Sequence, residues 1–315
     1  MSYPLLSVII PTYNRPHLLP RAVNTALAQT LADIEVIVVD DASDKPVNLP
    51  TDSRLKIIRL PKNMGTAVAR NIGAKTARGR WITYLDDDDE LLPHMAKVSI
   101  EALANTTLPK PVAVLSALEV VNQDGKVLNR RIPPTLPRGS HFFLEEIEPE
   151  LSFFSKQTLV VEREVFLNIG GYDEYFTSRV HTEMFLRLNP ICSILGLPTV
   201  SYRLYVHNGP RISQNPGLRQ VNFQRLVSKH QSLLLHHPQA FGKFLYEHAL
   251  RSWEMGQNCA AVSTLLWAMQ LAPKDTYLLI ISHYKNKFLG YIYQAIAKSP
   301  NKNNSDFYSS ENNEN

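Results

Sequence analysis

The stretch Trp81-Ile82-Thr83-Tyr84-Leu85-Asp86-Asp87-Asp88-Asp89 decides how this chain is read. Five residues of aromatic and aliphatic texture run straight into four carboxylates. The first part reads as a buried strand. Adjacent carboxylates repel one another, and a run of like charge is commonly a solvated loop. Here the run stands where a buried strand ends. In an open α/β sheet, ligands bind outside the carboxyl ends of the strands. Acids gathered there call for compensation, which a hard divalent cation supplies. Magnesium or manganese takes oxygen ligands, typically one or two carboxylates together with substrate phosphates.

Working outward, the first 90 residues alternate between two textures. Apolar runs at 5–10, 34–39 and 55–60 join 81–85 as buried strands. Between them, residues 16–29 carry Leu18, Leu19, Ala22, Val23, Ala26 and Leu27 on one helical face, and 65–77 is a second helical pattern. Strands alternating with helices predict an α/β fold with a mainly parallel central sheet flanked by helices. The second strand ends in Asp40-Asp41, and the first in Pro11-Thr12-Tyr13-Asn14. Three strand ends thus present polar or acidic groups to one edge, which suggests a single crevice.

Further along, the pattern predicts a helix over 91–105, a strand over 112–121 and an Asp124-Gly125 turn into a short partner strand over 126–128. A Pro-rich loop spans 132–149. Beyond it come a strand at 158–162, helices at 163–168 and 182–188, and a strand at 199–206. After about residue 216 the chain is helical. Trp253, Gly256, Ala260, Ala261, Leu265, Ala268, Leu271 and Pro273 give the texture of one helix-turn-helix repeat unit. Met64 and Trp253 read as packing residues. The domain organisation expected is a catalytic domain over 1–215, a helical region over 216–298 and a disordered, Asn- and Ser-rich tail over 299–315.

Bulk properties exclude several classes. An apolar fraction of 44% with 20% charged residues fits a globular protein rather than a disordered one. A formal net charge of +4 is too mild to imply nucleic acid, and no aromatics interleave with the basic residues. The two cysteines, Cys192 and Cys259, are far apart and lie in no metal-binding spacing, so a reducing compartment fits. No signal peptide and no run of about 20 apolar residues is visible, and the expectation is a cytosolic protein. Residues 284–298 mix Lys285, Lys287 and Lys298 with Phe288, Leu289, Tyr291, Ile292 and Ile296. That mixture suits docking on an anionic membrane surface, and equally a packed helix. There is no G-x-G-x-x-G after the first strand, no P-loop and no G-x-S-x-G elbow, which disfavours dinucleotide oxidoreductases, P-loop ATPases and α/β-hydrolases.

The motifs then resemble, in order, those of family 2 glycosyltransferases with the GT-A fold. Ser7-Val8-Ile9-Ile10-Pro11-Thr12-Tyr13-Asn14-Arg15 is similar to the opening motif, and Val38-Val39-Asp40-Asp41-Ala42-Ser43 to the second. Asn63-Met64-Gly65 with Ala69-Arg70-Asn71-Ile72-Gly73 resembles the third, and Tyr84-Leu85 with the four aspartates the D-x-D region. Gly170-Gly171-Tyr172-Asp173-Glu174 resembles the turn before the acceptor-side helix, and Tyr202-Arg203 with His207 and Ser213 the closing Y-R-x-H segment. The resemblance covers residues 5–213.

It implies a metal-dependent inverting transferase that moves a sugar from a nucleotide-sugar, with uridine favoured, to a glycan, glycolipid or other hydroxyl acceptor. Pro11, Thr12, Tyr13 and Asn14 would border the nucleotide, and Asp41 would accept a hydrogen bond from the base. Asn63, Gly65 and Arg70 would line the donor, and Asp86 and Asp87 would lie near the ribose and the metal. Asp88 would be the principal ligand to Mg2+ or Mn2+, with His207 a second ligand or a diphosphate contact. The family commonly reads E-D-x-D before a helix ending in L-R-L. This chain instead has Val180-His181-Thr182-Glu183 before Met184-Phe185-Leu186-Arg187-Leu188. The catalytic base is therefore expected at His181 or Glu183. The departure also motivates a rival reading, a nucleotide-sugar-binding protein without transferase activity. A nucleotidyltransferase is disfavoured, because no Gly-rich basic loop follows the first strand.

Overall fold

The computed structural model describes residues 3–206 and 215–298 of the chain, with side chains described as far as 285. His207 and Ser213, the tail from 299, and most of the side chains expected to meet a membrane lie outside the described residues. The chain divides into two compact units, Met1–Leu234 and Leu235–Asn315.

The first unit opens with β1 (Leu6–Thr12), α1 (Leu19–Leu27), β2 (Ile34–Asp40), β3 (Leu55–Arg59), α2 (Thr66–Thr76) and β4 (Trp81–Tyr84). It continues with β5 (Glu90–Leu91), α3 (Met95–Asn105), β6 (Val112–Val121), β7 (Val127–Arg131) and a 3-10 segment, Phe153–Thr158. Then come β8 (Val160–Glu162), α4 (Arg163–Asn168), α5 (Val180–Leu188), β9 (Ser193–Tyr205) and α6 (Pro216–Leu235). The sheet order is β3-β2-β1-β4-β8-β6-β9-β5, with β7 beside β6. Strands β3, β2, β1 and β4 are parallel, β6 is parallel to β9, and β8, β5 and β7 pair antiparallel. This is the α/β architecture expected, with helices on both faces of the sheet.

Strand alternation builds the two layers. On β1, Leu6, Val8 and Ile10 face Leu19, Ala22, Val23 and Ala26 of α1 and Met95 and Ala96 of α3. Ile9 faces the opposite layer, with Ala67, Ala69 and Ala74 of α2, Phe166, Tyr172 and Phe185. Every residue of β1 and β2 is buried, which explains why both strands read as continuous apolar runs. Gly73 lets α2 lie close on β1, because a Cβ there would fall 2.3 Å from Ile9 Cγ2.

Register brings the strand ends level. Thr12 pairs with Asp40 in β1–β2, and Ile9 with Tyr84 in β1–β4. The chain leaves the sheet in step, with Asp41 N donating to Thr12 O at 2.9 Å and Leu85 N to Ile9 O at 3.0 Å. The polar ends of β1, β2 and β4 therefore share one edge. Three expectations are revised. The helix expected over 91–105 begins at Met95, because Glu90–Leu91 is taken by β5. The last strand begins at Ser193 rather than 199. Part of the expected 158–162 strand belongs to the 3-10 segment that precedes β8.

The second unit holds α7 (Pro238–Glu254), α8 (Asn258–Leu271) and α9 (Pro273–Lys298). Helices α7 and α8 form the helix-turn-helix pair, turning at Gly256 with φ +74°. Phe241 meets Trp267 edge-on at 5.2 Å. Trp253 is not a packing residue, since it is 60% exposed; Met64, in the first unit, is 42% exposed. Among the described residues, no helix is long and apolar enough to cross a membrane.

Candidate active site

The four aspartates are sorted by what reaches them. Asp87 and Asp89 are buried; Asp86 and Asp88 are partly exposed. Asp87 accepts from Thr12 Oγ1 at 2.7 Å and from Arg15 Nη1 at 2.9 Å. The same Arg15 nitrogen reaches Asp88 Oδ2 at 2.6 Å, and Arg21 Nη2 donates to the Asp88 carbonyl at 2.5 Å. Asp86 pairs with Arg70 Nη2 at 2.5 Å. Asp89 accepts from the Tyr202 hydroxyl at 2.7 Å and from Tyr205 N at 2.8 Å. Burial, partly offset by Thr12 and Arg15, pushes the Asp87 carboxyl up to about 6. Burial and then repulsion from Asp86 and Asp88 push Asp89 well above the usual carboxylate range.

Asp86, Asp88 and Asp89 each bring one oxygen within 4.8 Å of the others. This is a hard, all-oxygen donor set crowded enough to repel itself, so a divalent cation fits it. Asp87, expected near the ribose and the metal, lies between two members of this group along the chain and is bonded to Thr12 and Arg15. Asp89 joins Asp86 and Asp88 in the cluster, and no local signal in the sequence singled it out.

The residues expected to border the donor converge on the same edge. Pro11 and Thr12 are buried at the end of β1, while Tyr13 is 43% exposed beyond it. Asn14 clasps the next loop. Its N–H donates to Ser43 Oγ at 2.9 Å, and its Oδ1 accepts from Asp44 N at 2.8 Å. Asp41, 4% exposed, accepts from Met64 N at 2.7 Å and Gly65 N at 2.8 Å. It thereby holds the turn that starts α2, where Gly65 has φ +92°. Asn63 is exposed on that turn. Arg70, from α2, is 5% exposed and lies over the Tyr172 ring at 5.5 Å, with its Nε buried and unbonded.

The residues expected on the acceptor side lie one contact further on. Asn71, beside Arg70, donates to Tyr172 O at 2.8 Å and to Glu174 Oε1 at 2.9 Å, which fixes the Gly170-Gly171 turn against α2. The Tyr172 hydroxyl is 3.1 Å from His181 Nδ1 in the first turn of α5. Burial, with Arg70 and Lys156 nearby, holds His181 well below the usual histidine range, so its ring is neutral at pH 7. Glu183 is different. It is fully buried and bonded to Arg187 Nε at 2.8 Å, Arg187 Nη2 at 2.6 Å, Lys229 Nζ at 2.8 Å and His230 Nε2 at 3.2 Å. Burial alone would raise its pKa, but His230, Arg187 and Lys229 together hold it far below the usual carboxylate range. Arg187 also donates to the carbonyls of Ile169 at 2.5 Å and Gly171 at 2.7 Å. Glu183 and Arg187 therefore staple α5 to the Gly-Gly turn and to α6. A carboxylate so held has little proton affinity, which works against its use as a base.

Sequence reasoning did not single out Arg15, Arg21, Tyr202 or Tyr205 as site residues. Two signals were present: Arg15 closes the first motif, and Tyr202 opens the last. Their partners lie 72 and 113 residues away along the chain.

The sequence model of the family described as Glycosyl transferase family 2 matches residues 7–167, just over half of the chain. An uncharacterized glycosyltransferase of Haemophilus influenzae is 28% identical over 58% of this chain and 62% of its own length. The succinoglycan biosynthesis protein ExoO of Rhizobium meliloti is 33% identical over 52% of this chain and 47% of its own. The matched part of each is thus less than two thirds of that relative. The crystal structure of S. aureus TarS 1–349 in complex with UDP-GlcNAc superimposes with a TM-score of 0.62 at 17% identity. That superposition covers 86% of this chain and 82% of TarS 1–349, a likeness of fold.

Proposed function

The chain belongs to glycosyl transferase family 2, and from that premise we propose that it transfers a sugar, with inversion, from a uridine diphosphate sugar to a hydroxyl of a glycan or lipid-linked acceptor. The observation that carries this reading is the continuous set of contacts from the strand-end carboxylates through Arg70 and Tyr172 to His181. It sets a cation-ready acidic cluster and a neutral imidazole on one connected path. The TarS complex with UDP-GlcNAc, on the same fold, supports the choice of donor class.

Each residue then has a task. Asp41 holds the Asn63–Gly65 turn, and a carboxylate using one lone pair on each oxygen retains acceptor capacity for a base N–H. Tyr13, exposed at the end of β1, offers a ring face to the nucleoside. Asp86, Asp88 and Asp89 would hold Mg2+ or Mn2+, which when bound neutralises charge on the departing diphosphate. Arg70, anchored on Asp86, adds a fixed positive charge beside that leaving group. His181 takes the acceptor hydroxyl's proton at Nε2, its Nδ1 being directed to Tyr172. Glu183 positions α5. Attack from the face opposite the diphosphate inverts the anomeric centre.

Titrating the protein with UDP, GDP, ADP and CDP, with and without Mn2+, tests the donor reading. Tightest binding to UDP with metal present is expected, and indifference to both base and metal would refute it. Donor binding without acceptor-dependent turnover across a panel of glycans would favour the rival binding protein.

A further inference from the structure

In the first unit many cations face an acid. Arg15 bridges Asp87 and Asp88, Arg70 pairs with Asp86, Arg187 and Lys229 with Glu183, and Arg130 with Glu119. Two cations beside α5 do not. Lys156, in the 3-10 segment, donates to Thr182 Oγ1 at 2.8 Å and has no carboxylate partner among the described residues. Arg131, at the end of β7, donates to the Phe154 carbonyl at 3.2 Å and has none either.

The two share one aromatic ring. Lys156 Nζ is 5.6 Å and the Arg131 guanidinium 5.7 Å from the centre of Phe154, a ring that is 63% exposed. Arg179, immediately before α5, lies over Phe223 at 5.8 Å. Burial first, then Arg179 and Arg131, push the Lys156 ammonium down to about 7. Burying an ammonium without a counter-charge costs free energy, and neighbouring cations add to the cost. An anion arriving between them would offset both.

The position is as telling as the charge. Thr182 follows His181, and His181 is reached from Asp86 through Arg70 and Tyr172. The basic group is therefore one step beyond His181, at the opposite end of that path from the carboxylates where the donor's diphosphate and its cation belong. We propose that Lys156 and Arg131 form, with the exposed face of Phe154, a subsite for an anionic group on the acceptor glycan. The group is a carboxylate or a phosphate. Guanidinium forks bind either in a bidentate manner, and the bare Phe154 ring offers an apolar face to the C–H face of a sugar. The subsite rests on the glycosyltransferase reading of the crevice.

The test is equilibrium binding in the presence of UDP, with probes matched except for charge. Methyl glucuronide is set against methyl glucoside, and glycerol phosphate against glycerol. The charged member of one pair should bind about tenfold tighter, equivalent to about 1.4 kcal/mol. Which pair shows the gap distinguishes carboxylate from phosphate. Lys156→Met should close most of the gap and Lys156→Arg should keep it. Arg131→Met, at a more open position, should also narrow it, so the result does not hang on one variant. UDP affinity in the same samples should match the parent throughout. Absence of any preference for the charged probes, whether from equal binding or from none, overturns the subsite. So does a gap that survives both Met changes. Failure of UDP itself to bind would instead strike the donor reading, and a charge preference lost in Lys156→Met would still stand.

Discussion

Replacing Glu183 by Gln separates the two roles this residue has been given. The change keeps volume and removes one charge from a site where Arg187, Lys229 and His230 converge. It also puts an amide N–H₂ against nitrogen donors, so at least one bond in the set is lost. Removing one partner of a buried ion pair costs roughly 3–5 kcal/mol. The partners here are not all sealed off: the side chain of Lys229 is 36% exposed and that of Arg187 21%, so water can recover part of their hydration. The lower end, about 3 kcal/mol, is the expected loss. For a unit of this size, that lowers the melting temperature by about 6–12 °C. Acidity gives a second reading. The folded-state pKa lies below the ordinary value of 4.5, so the stability contributed by Glu183 is complete above about pH 4.5 and is lost as the pH falls further. The parent should therefore lose stability between pH 4.5 and 3 more steeply than Glu183→Gln. Calorimetry with the two units' transitions resolved, alongside steady-state turnover, measures both. If the variant melts with the parent and follows the same acid slope while kcat collapses, Glu183 is the proton acceptor and its assignment as a staple is wrong.

Three further outcomes are expected. Asp88→Asn should raise the metal concentration for half-maximal activity about 10–100-fold, with folding little changed because its side-chain partner Arg15 is 44% exposed; metal titration at constant donor checks it, and an unchanged titration removes Asp88 from the ligand set. Asp41→Asn should cost about 1–3 kcal/mol, because an amide nitrogen would face the N–H of Met64 or Gly65, and should flatten the preference for UDP over GDP; isothermal titration with both nucleotides reads it. His181→Ala should lower kcat about 10²–10⁴-fold with UDP affinity retained. Because His181 titrates below the usual histidine range in the empty protein, the parent's kcat/KM, which reports the free enzyme, should hold down through pH 6.5 before falling, and an acid limb of kcat/KM centred above pH 6.5 would argue for a different base.

Much of the first unit was legible, and the reasons are physical. Strands β1, β2 and β6 are buried along their whole length, so their sequences are unbroken apolar runs, and β6 occupies the residues expected of it. Strand β9 was legible only from 199 onward. Its first half contains Gly196 and Pro198, which local rules count against a strand. The structure accommodates them through a register shift against β6 at Ser116–Leu118, and Gly196 leaves room for the backbone of Pro133 and Pro134, 2.5–2.7 Å from where a Cβ would sit. The antiparallel pairing of β8 between β4 and β6 has no local signature at all, since three residues carry no direction.

The site was legible as a place and less so as a set of roles. Four consecutive aspartates announce a strand end that needs compensation, but nothing local says which of them is bonded to protein. That sorting depends on β9. Tyr202 and Tyr205 supply donors to both oxygens of Asp89, and without them a carboxylate 3% exposed and crowded by Asp86 and Asp88 would be held in the interior with no hydrogen bonds. Both donors lie in the half of β9 that local rules do read, so the strand was legible while its hold on the fourth aspartate was not. Glu183 follows the same logic. Its spacing from Arg187 is the i, i+4 pair visible in any helix, but Lys229 and His230 come from α6, 46 and 47 residues on. Only their convergence turns an acid that looks like a base into one that cannot readily accept a proton. What remains beside it, His181, is short of neighbouring carboxylates and rich in neighbouring cations. Its weak basicity is a consequence of burial first and of Arg70 and Lys156 after it, and an anion meeting either cation would relieve that second part. Donor diphosphate beside Arg70 and an anionic acceptor beside Lys156 would each strengthen the imidazole as a base. On this reading the protein is least basic when empty and gains proton affinity at His181 as its two substrates arrive.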